Sequence, residues 1–108
     1  MANPSNPLGA MVGLGGDRFI DTSTLSSSLI FSHLYITANA TITSLYVGDI
    51  SHTGDVATLS NAASELVSRN YSGKTLPAGY LICAGEGKGI RGNVKLSAGS
   101  AEGIIFKV

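Results

Sequence analysis

A glycine-rich octet near the C-terminal end, GEGKGIRG from Gly85 to Gly92, comes closest to the letters of a cofactor site. Within it, residues 87–92 match the dinucleotide-binding pattern G-x-G-x-x-G. That pattern holds a pyrophosphate only where a strand feeds a helix, because the ligand lies on the helix N-terminus. An alternating segment, Asn93 to Ser97, follows here instead. We therefore predict a glycine-rich hairpin loop and no cofactor.

The segment DISHTGD, Asp49 to Asp55, has an acid and a glycine at the first and sixth places of a calcium loop. Ser51 and Thr53 stand where that loop needs Asp or Asn, so a turn between elements is the better interpretation. A transition-metal alternative would use Asp49, His52 and Asp55 together with His33. Such a site needs convergence that spacing does not supply, and we predict no metal.

The sequence contains no pattern typical of an enzyme that uses a Ser or Cys nucleophile. Cys83 lies in the apolar run Tyr80 to Ala84, which predicts a buried and inert thiol. Ser100 does not stand at the nucleophile position of a G-x-S-x-G elbow, and no pair of carboxylates is evident. We expect a protein that is not an enzyme and has no small-molecule substrate.

Composition indicates one small domain with a weakly charged surface. The chain has 108 residues, of which 13% are charged, and seven basic and seven acidic residues give a net charge of zero. With little like-charge repulsion, self-association is expected. Nucleic acid is not an expected partner, because only Lys88, Arg91 and Lys95 form a short basic cluster. The start shows no export signal, and no apolar run reaches membrane-spanning length, so no membrane partner is expected either.

The elements expected to carry these residues are mostly strands. Two runs rich in Ile, Tyr, Phe, Thr and Val, residues 29–37 and 41–47, read as strands joined by a turn at residues 38–40. In the first run Leu34 and Ile36 share one face. Residues 55–70 have helical spacing after the N-cap residue Asp55 and predict one short helix, with an irregular excursion as the alternative.

The C-terminal part predicts more strands separated by turns. Turns are expected at residues 71–74 and 76–79, a strand at 80–84, and a turn at 98–100 before a closing strand at 103–108. Inward positions of the last segments are Ile90, Gly92, Val94, Leu96, Ile104, Phe106 and Val108. We predict a mainly β fold, a small antiparallel β-sandwich or barrel-like body spanning residues 21–108.

The first 20 residues predict an extended N-terminal arm. They contain Asn-Pro pairs and several glycines, which support neither a helix nor a regular strand. An idle tail would lack apolar side chains, so contact with another surface is expected, although a flexible terminus is the alternative. The candidate interface residues are Leu8, Met11, Val12, Leu14, Phe19 and Ile20.

Four short stretches resemble small virion structural proteins of tailed bacteriophages, which decorate the head or form the base of head fibres. They are ATITSL at residues 40–45, LPAG at 76–79, VKLSAGS at 94–100 and IFKV at 105–108, whereas residues 51–74 depart from the pattern.

The resemblance implies a β-rich subunit that lies on the capsid exterior in many copies, is made in the host cytoplasm and is often a homotrimer. It implies the major capsid protein and other copies of this chain as partners, in the manner of a cement protein. The alternative is a fibre or tail-tip module that binds host surface carbohydrate through Tyr35, Tyr46, Tyr71 and Tyr80.

Overall fold

The protein is described here by a computed structural model that covers residues 16–23, 29–53 and 56–106. Over these ranges the prediction of a mainly β fold is confirmed: there are strands, all paired antiparallel, and no helix. The strands are β1 (Asp17–Ile20), β2 (Ile30–Ser44), β3 (Tyr46–Thr53), β4 (Val56–Ser64), β5 (Leu81–Cys83), β6 (Lys88–Arg91) and β7 (Lys95–Ile105). The described part of the chain therefore contains no helix that could span a membrane.

One sheet contains all of these strands, in the order β1-β7-β2-β6-β3-β4, and β5 also pairs with β2. The buried apolar side chains of this sheet, apart from Ile104, belong to one cluster. A single sheet can enclose one core only by curling on itself, which fits the predicted barrel-like body. The fully buried large side chains are Ile20, Phe31, Leu34, Ile36, Ile42, Leu45, Ile82, Ile90, Val94 and Ile104.

Alternation along the strands was predicted correctly where it was clearest. Leu34 and Ile36 are buried, while the side chains between and before them are half-buried. Burial also alternates from Ile90 to Leu96. The backbone there is not one strand, however, because β6 ends at Arg91 and β7 begins at Lys95.

The turns predicted at residues 38–40 and 98–100 are both wrong, and for the same reason. Both stretches lie inside long strands, β2 and β7, and they pair with each other: Ala38 is opposite Ser100 and Thr41 is opposite Ala98. The register shifts repeatedly where these two stretches pair, a segment that we call the β2–β7 crossing. Gly99, within this segment, adopts a φ of 82°. Small residues and a glycine allow bulges that bend the two paired strands. In the sequence, such small residues look like a turn. The closing strand is accordingly the end of β7.

The helix predicted over residues 55–70 is also wrong. Residues 56–64 form β4, which pairs antiparallel with β3, and only a short turn follows at residues 66–70. The amide of Arg69 donates to the carbonyl of Glu65 over 3.0 Å in that turn. Serine and asparagine weaken a helix, and the neighbouring strand satisfies the backbone groups that a helix would have satisfied internally.

Cys83 is exposed, which contradicts the prediction of a buried thiol. The run from Tyr80 to Ala84 is apolar, but β5 is a strand and its side chains alternate. Ile82 points into the core, and its neighbours Leu81 and Cys83 point away.

The body starts earlier than residue 21. Residues 17–20 form β1, which pairs with β7, and Ile20 is buried in the core. Of the predicted arm, residues 1–15 lie outside the described residues. Among the inward positions predicted near the C-terminus, Ile104 is buried but is not part of the core cluster, against which Ile105 packs instead. Phe106 is half-buried, and Val108 lies outside the described residues.

Candidate functional site

Strands β1, β7, β2 and β5 have one side that points away from the core cluster, which we call the outer face. On the opposite side, Ile20, Ala101 and Ile36 are in register with one another and buried. The positions next to them lie on the outer face, because successive side chains of a strand point to opposite sides. Directly opposite residues there form one row across the four strands, the outer row: Phe19, Glu102, Tyr35 and Leu81.

The outer row is mostly apolar, and its members keep accessible surface. Phe19 has 61% of its surface exposed and Leu81 has 39%, and Tyr35 between them is half-buried. Exposed apolar side chains scattered singly are ordinary, but these share one face and one register. The arrangement makes the outer face a candidate contact surface.

Glu102 is the one charged member of the outer row. Burial raises the pKa of its carboxyl, and a hydrogen bond to Asp17 and the negative charge of Asp17 raise that pKa further. Asp17 lies two positions before Phe19, the β1 residue opposite Glu102. Oε2 of Glu102 is buried without a hydrogen-bond partner among the described residues. A neutral carboxyl fits this position better than an ionised one does.

A cavity of about 530 Å³ adjoins the outer row at the β5 side of the outer face. It is lined by Ser32, His33, Cys83, Gly85, Glu86, Gly87, Lys88 and Phe106. His33 and Cys83 are opposite each other in the β2–β5 pair. The amide of Ala84 donates to the carbonyl of Ser32 over 3.0 Å, the pattern of a pair in which the side chains lie closest. Cys83 and His33 therefore sit side by side at the cavity.

One hydrogen bond, to Ser32, orients the ring of His33. Oγ of Ser32 lies 2.8 Å from Nδ1 of His33, and the same hydroxyl donates to the carbonyl of Ile104 over 3.3 Å. With the serine proton directed to that carbonyl, Nδ1 of His33 donates to Oγ of Ser32. Among the described residues, no three His, Cys, Asp or Glu side chains are grouped as a metal ion would require.

The glycine-rich loop forms one wall of the cavity, and its shape differs from a hairpin. As β2 runs from Ile30 to Tyr35, its partners are first the end of β6 and then β5. β5 and β6 thus follow one another along a single edge of β2, and residues 84–87 project between them. Gly85 and Gly87 take positive φ angles of 113° and 71° in this projection. The predicted loop is present, but it interrupts a strand line instead of joining two paired strands.

Arg69 fixes the base of that loop. Its Nε lies 2.6 Å from Oε1 of Glu65, and its terminal nitrogens donate to the carbonyls of Cys83 at 2.8 Å and Ala84 at 3.1 Å. On the other side of the loop, Lys88 forms an ion pair with Asp49. The cavity wall is therefore held at both ends.

Asp49, one of the acids considered as a metal ligand, already bonds to Lys88 and Asn61. Hydrogen bonds from Lys88 and then from Asn61 lower the pKa of its carboxyl, and the positive charge of Lys88 adds to the effect. Asp55 and the side chain of His52 lie outside what the structure describes.

Two of the four tyrosines considered for sugar binding, Tyr46 and Tyr71, are engaged by neighbouring side chains. The guanidinium of Arg91 lies 5.0 Å from the ring centre of Tyr46, and so occupies one face of that ring. Tyr71 is buried edge-on against Tyr80 with ring centres 6.0 Å apart, and burial raises the pKa of its hydroxyl. Tyr35 and Tyr80 keep accessible surface.

The candidate interface residues have three different outcomes. Phe19 is exposed on the edge strand β1, as an interface residue should be. Ile20 is 1% exposed in the core, so it is not available as an interface anchor. The remaining candidates, Leu8, Met11, Val12 and Leu14, lie outside the described residues. Sequence reasoning missed Leu81, whose partner in the outer row is set by a register that spans distant parts of the chain.

No protein-family model, curated protein or solved structure matches this chain. The functional interpretation therefore depends on the geometry above and on the resemblance of the sequence.

Proposed function

We propose that this protein is a non-enzymatic structural protein of a virion that decorates the exterior of a bacteriophage capsid. Its partners are the major capsid protein and other copies of itself, and a homotrimer is the expected oligomer. The arm and the start of β1 supply the adhesive contacts. The sequence resemblance supports the virion setting, and the exposure of Phe19 supports the adhesive role.

Phe19 is the observation that carries the proposal. The residue is 61% exposed on β1, the strand that ends the sheet on one side. An edge strand offers unpaired backbone groups to another chain, and an exposed aromatic ring beside them adds apolar area. The arm residues that lead into β1 are apolar as well, at Leu8, Met11, Val12 and Leu14.

Low charge suits a protein that acts by adhesion in many copies. A net charge of zero leaves little repulsion between neighbouring subunits. A standard stable interface buries about 800 Å² on each partner, and repetition over a symmetric shell strengthens weaker contacts through avidity. The body itself therefore needs no large adhesive surface.

Co-sedimentation with parent heads that lack the protein tests this proposal. The full-length protein should pellet with the heads, whereas the chain without residues 1–16 should fall to a small fraction of that binding. Phe19→Ser should weaken binding roughly tenfold, as expected for an aromatic side chain lost from an interface. Val67→Ser is the matched control, because Val67 is 82% exposed but lies in the turn after β4.

Each variant must first show the melting temperature of the wild type, so that lost binding is not lost folding. Full occupancy of the heads by the chain without residues 1–16 would refute the role of the arm. Reproducible sugar binding on a glycan array, without binding to heads, would instead favour the fibre-tip alternative through Tyr35 and Tyr80.

A further inference from the structure

We propose that the outer face is the receptor for the arm of a second copy of this chain, with residues 8–14 of that copy lying along the outer row and an apolar arm side chain entering the cavity. The inference rests on the proposed function only in giving the arm an adhesive role. It does not depend on a capsid.

The receptor surface has the shape and chemistry for an extended apolar segment. Phe19, Tyr35 and Leu81 lie in one register across the outer face. The cavity begins two residues further along β2 and β5, at His33 and Cys83. Its walls include Phe106 and the glycine backbone of the loop, with Glu86 and Lys88 at the loop. A peptide in extended form presents alternate side chains to such a surface, so one row and one pocket suffice for specificity.

The arm matches that surface in charge and polarity. Residues 1–15 contain no Asp, Glu, Lys or Arg, and their apolar side chains cluster from Leu8 to Leu14. On the outer row the one charged residue is Glu102, whose pKa is raised by burial and by Asp17. Docking an uncharged strap there leaves no buried charge of the arm without a partner.

Length allows the arm to reach a second copy. Fifteen residues in extended form reach about 50 Å at about 3.3 Å per residue. The outer face is only four strands wide, and the distance from Asp17 to Cys83 across it is about 14 Å at about 4.8 Å per strand spacing. The longest dimension of the described part of the chain is 38 Å. The arm is thus far longer than its own face requires and long enough to cross a neighbour.

Exchange of this kind makes a closed assembly possible. Each copy gives one arm and offers one outer face, which are different surfaces, so the contact is heterologous. Heterologous contacts close into a ring when the rotation between subunits permits it. The arm enters the sheet at β1, an edge strand, and so starts from the border where a neighbouring body would stand.

Disulfide trapping in the full chain tests the proposal, because Cys83 is the chain's single cysteine and lies at the cavity. One preparation, labelled with heavy nitrogen, carries Val12→Cys together with Cys83→Ser. The other is unlabelled wild type. The two are mixed in equal amounts, oxidised mildly with diamide and analysed by non-reducing gel and mass spectrometry. We expect a disulfide that joins position 12 of a heavy chain to Cys83 of a light chain.

Matched variants of the light chain show whether the outer row guides the arm. Leu81→Ser should lower the yield of the mixed link roughly tenfold, because the remaining exposed surface of Leu81 would no longer be buried by the arm. Val67→Ser, which removes a more exposed apolar side chain elsewhere, should leave the yield unchanged. Equal yields from both variants would overturn the proposal.

A chain with Val12→Cys that keeps Cys83 shows whether the arm binds the outer face of its own body or that of a second copy. An intrachain disulfide that dominates at every protein concentration would show that the arm covers its own body, which overturns the inference. Absence of any mixed link between copies that light scattering shows to be associated would overturn it as well. Disulfides between copies of a protein that does not bind phage heads would contradict the proposed function and would leave this inference standing.

Discussion

Replacing Gly99 with alanine should destabilise the protein through the crossing of β2 and β7. A Cβ built at Gly99 would lie 2.1 Å from the carbonyl oxygen of Asn39 and 2.6 Å from the Cα of Ala40, and φ is +82°. The left-handed backbone alone costs an L residue about 1–2 kcal/mol. Forcing extra atoms into a packed site costs about 1–3 kcal/mol, and here the obstacle is backbone, which yields less readily than a side chain. We expect a loss of about 2–5 kcal/mol of unfolding free energy.

Gly73→Ala is the control for this substitution. Gly73 has a similar φ of +70°, but a Cβ there would meet nothing within 4 Å. It should therefore lose only the backbone contribution, about 1–2 kcal/mol. For a domain of this size about 1 kcal/mol moves the melting temperature by roughly 4–8 °C, so calorimetry resolves the two variants. Melting temperatures within about 3 °C of each other would refute the reasoning about the crossing.

Three further substitutions test other parts of the structure. Val94→Asp buries an unpaired charge at a site that is 1% exposed, and should cost about 4 kcal/mol or more; a soluble mutant with an unchanged melting temperature would contradict the burial of Val94 in the core. Arg69→Lys cannot keep the forked contacts to Glu65 and the loop carbonyls, and urea unfolding should show a loss of about 1–2 kcal/mol. Glu102→Gln should change the pH dependence of melting. Because the folded-state pKa of Glu102 is raised above its ordinary 4.5, its stabilising contribution is complete below that value and is lost as the pH rises through the folded-state pKa. The Gln variant should therefore melt above the wild type near pH 7 and match it near pH 4, and a lower melting temperature near pH 7 would show that ionised Glu102 is not strained.

The sequence allowed the fold class and the burial of many side chains to be predicted, because strand alternation is a local signal. Leu34 and Ile36, and the alternation from Ile90 to Leu96, illustrate this. The pairing of strands depends on contacts between distant residues, and local patterns do not report it. The two small-residue stretches read as turns lie opposite each other at the β2–β7 crossing, and neither is distinguishable from a turn until its partner is known.

Prediction of the candidate site was limited in the same way. Phe19 could be chosen because it is an apolar residue next to the arm, but Ile20 beside it points to the core. The assignment of Ile20 required the position of β1 in the sheet. Leu81 and Tyr35 join the outer row through pairing across β2 and β5, and Cys83 reaches the cavity through the same pairing.

The break between β5 and β6 gives the molecule a place where its chain length can change at low cost. Both flanks of residues 84–87 are anchored, by the amide of Ala84 on Ser32 and by the pairing of Lys88 with Asp49 in β3. Doubling the length of a flexible loop costs only about 0.6 kcal/mol of closure entropy, so a foreign peptide inserted after Glu86 would leave the surrounding ladder intact. Related chains could diversify there, and an epitope placed there would be displayed once on every subunit of an assembly.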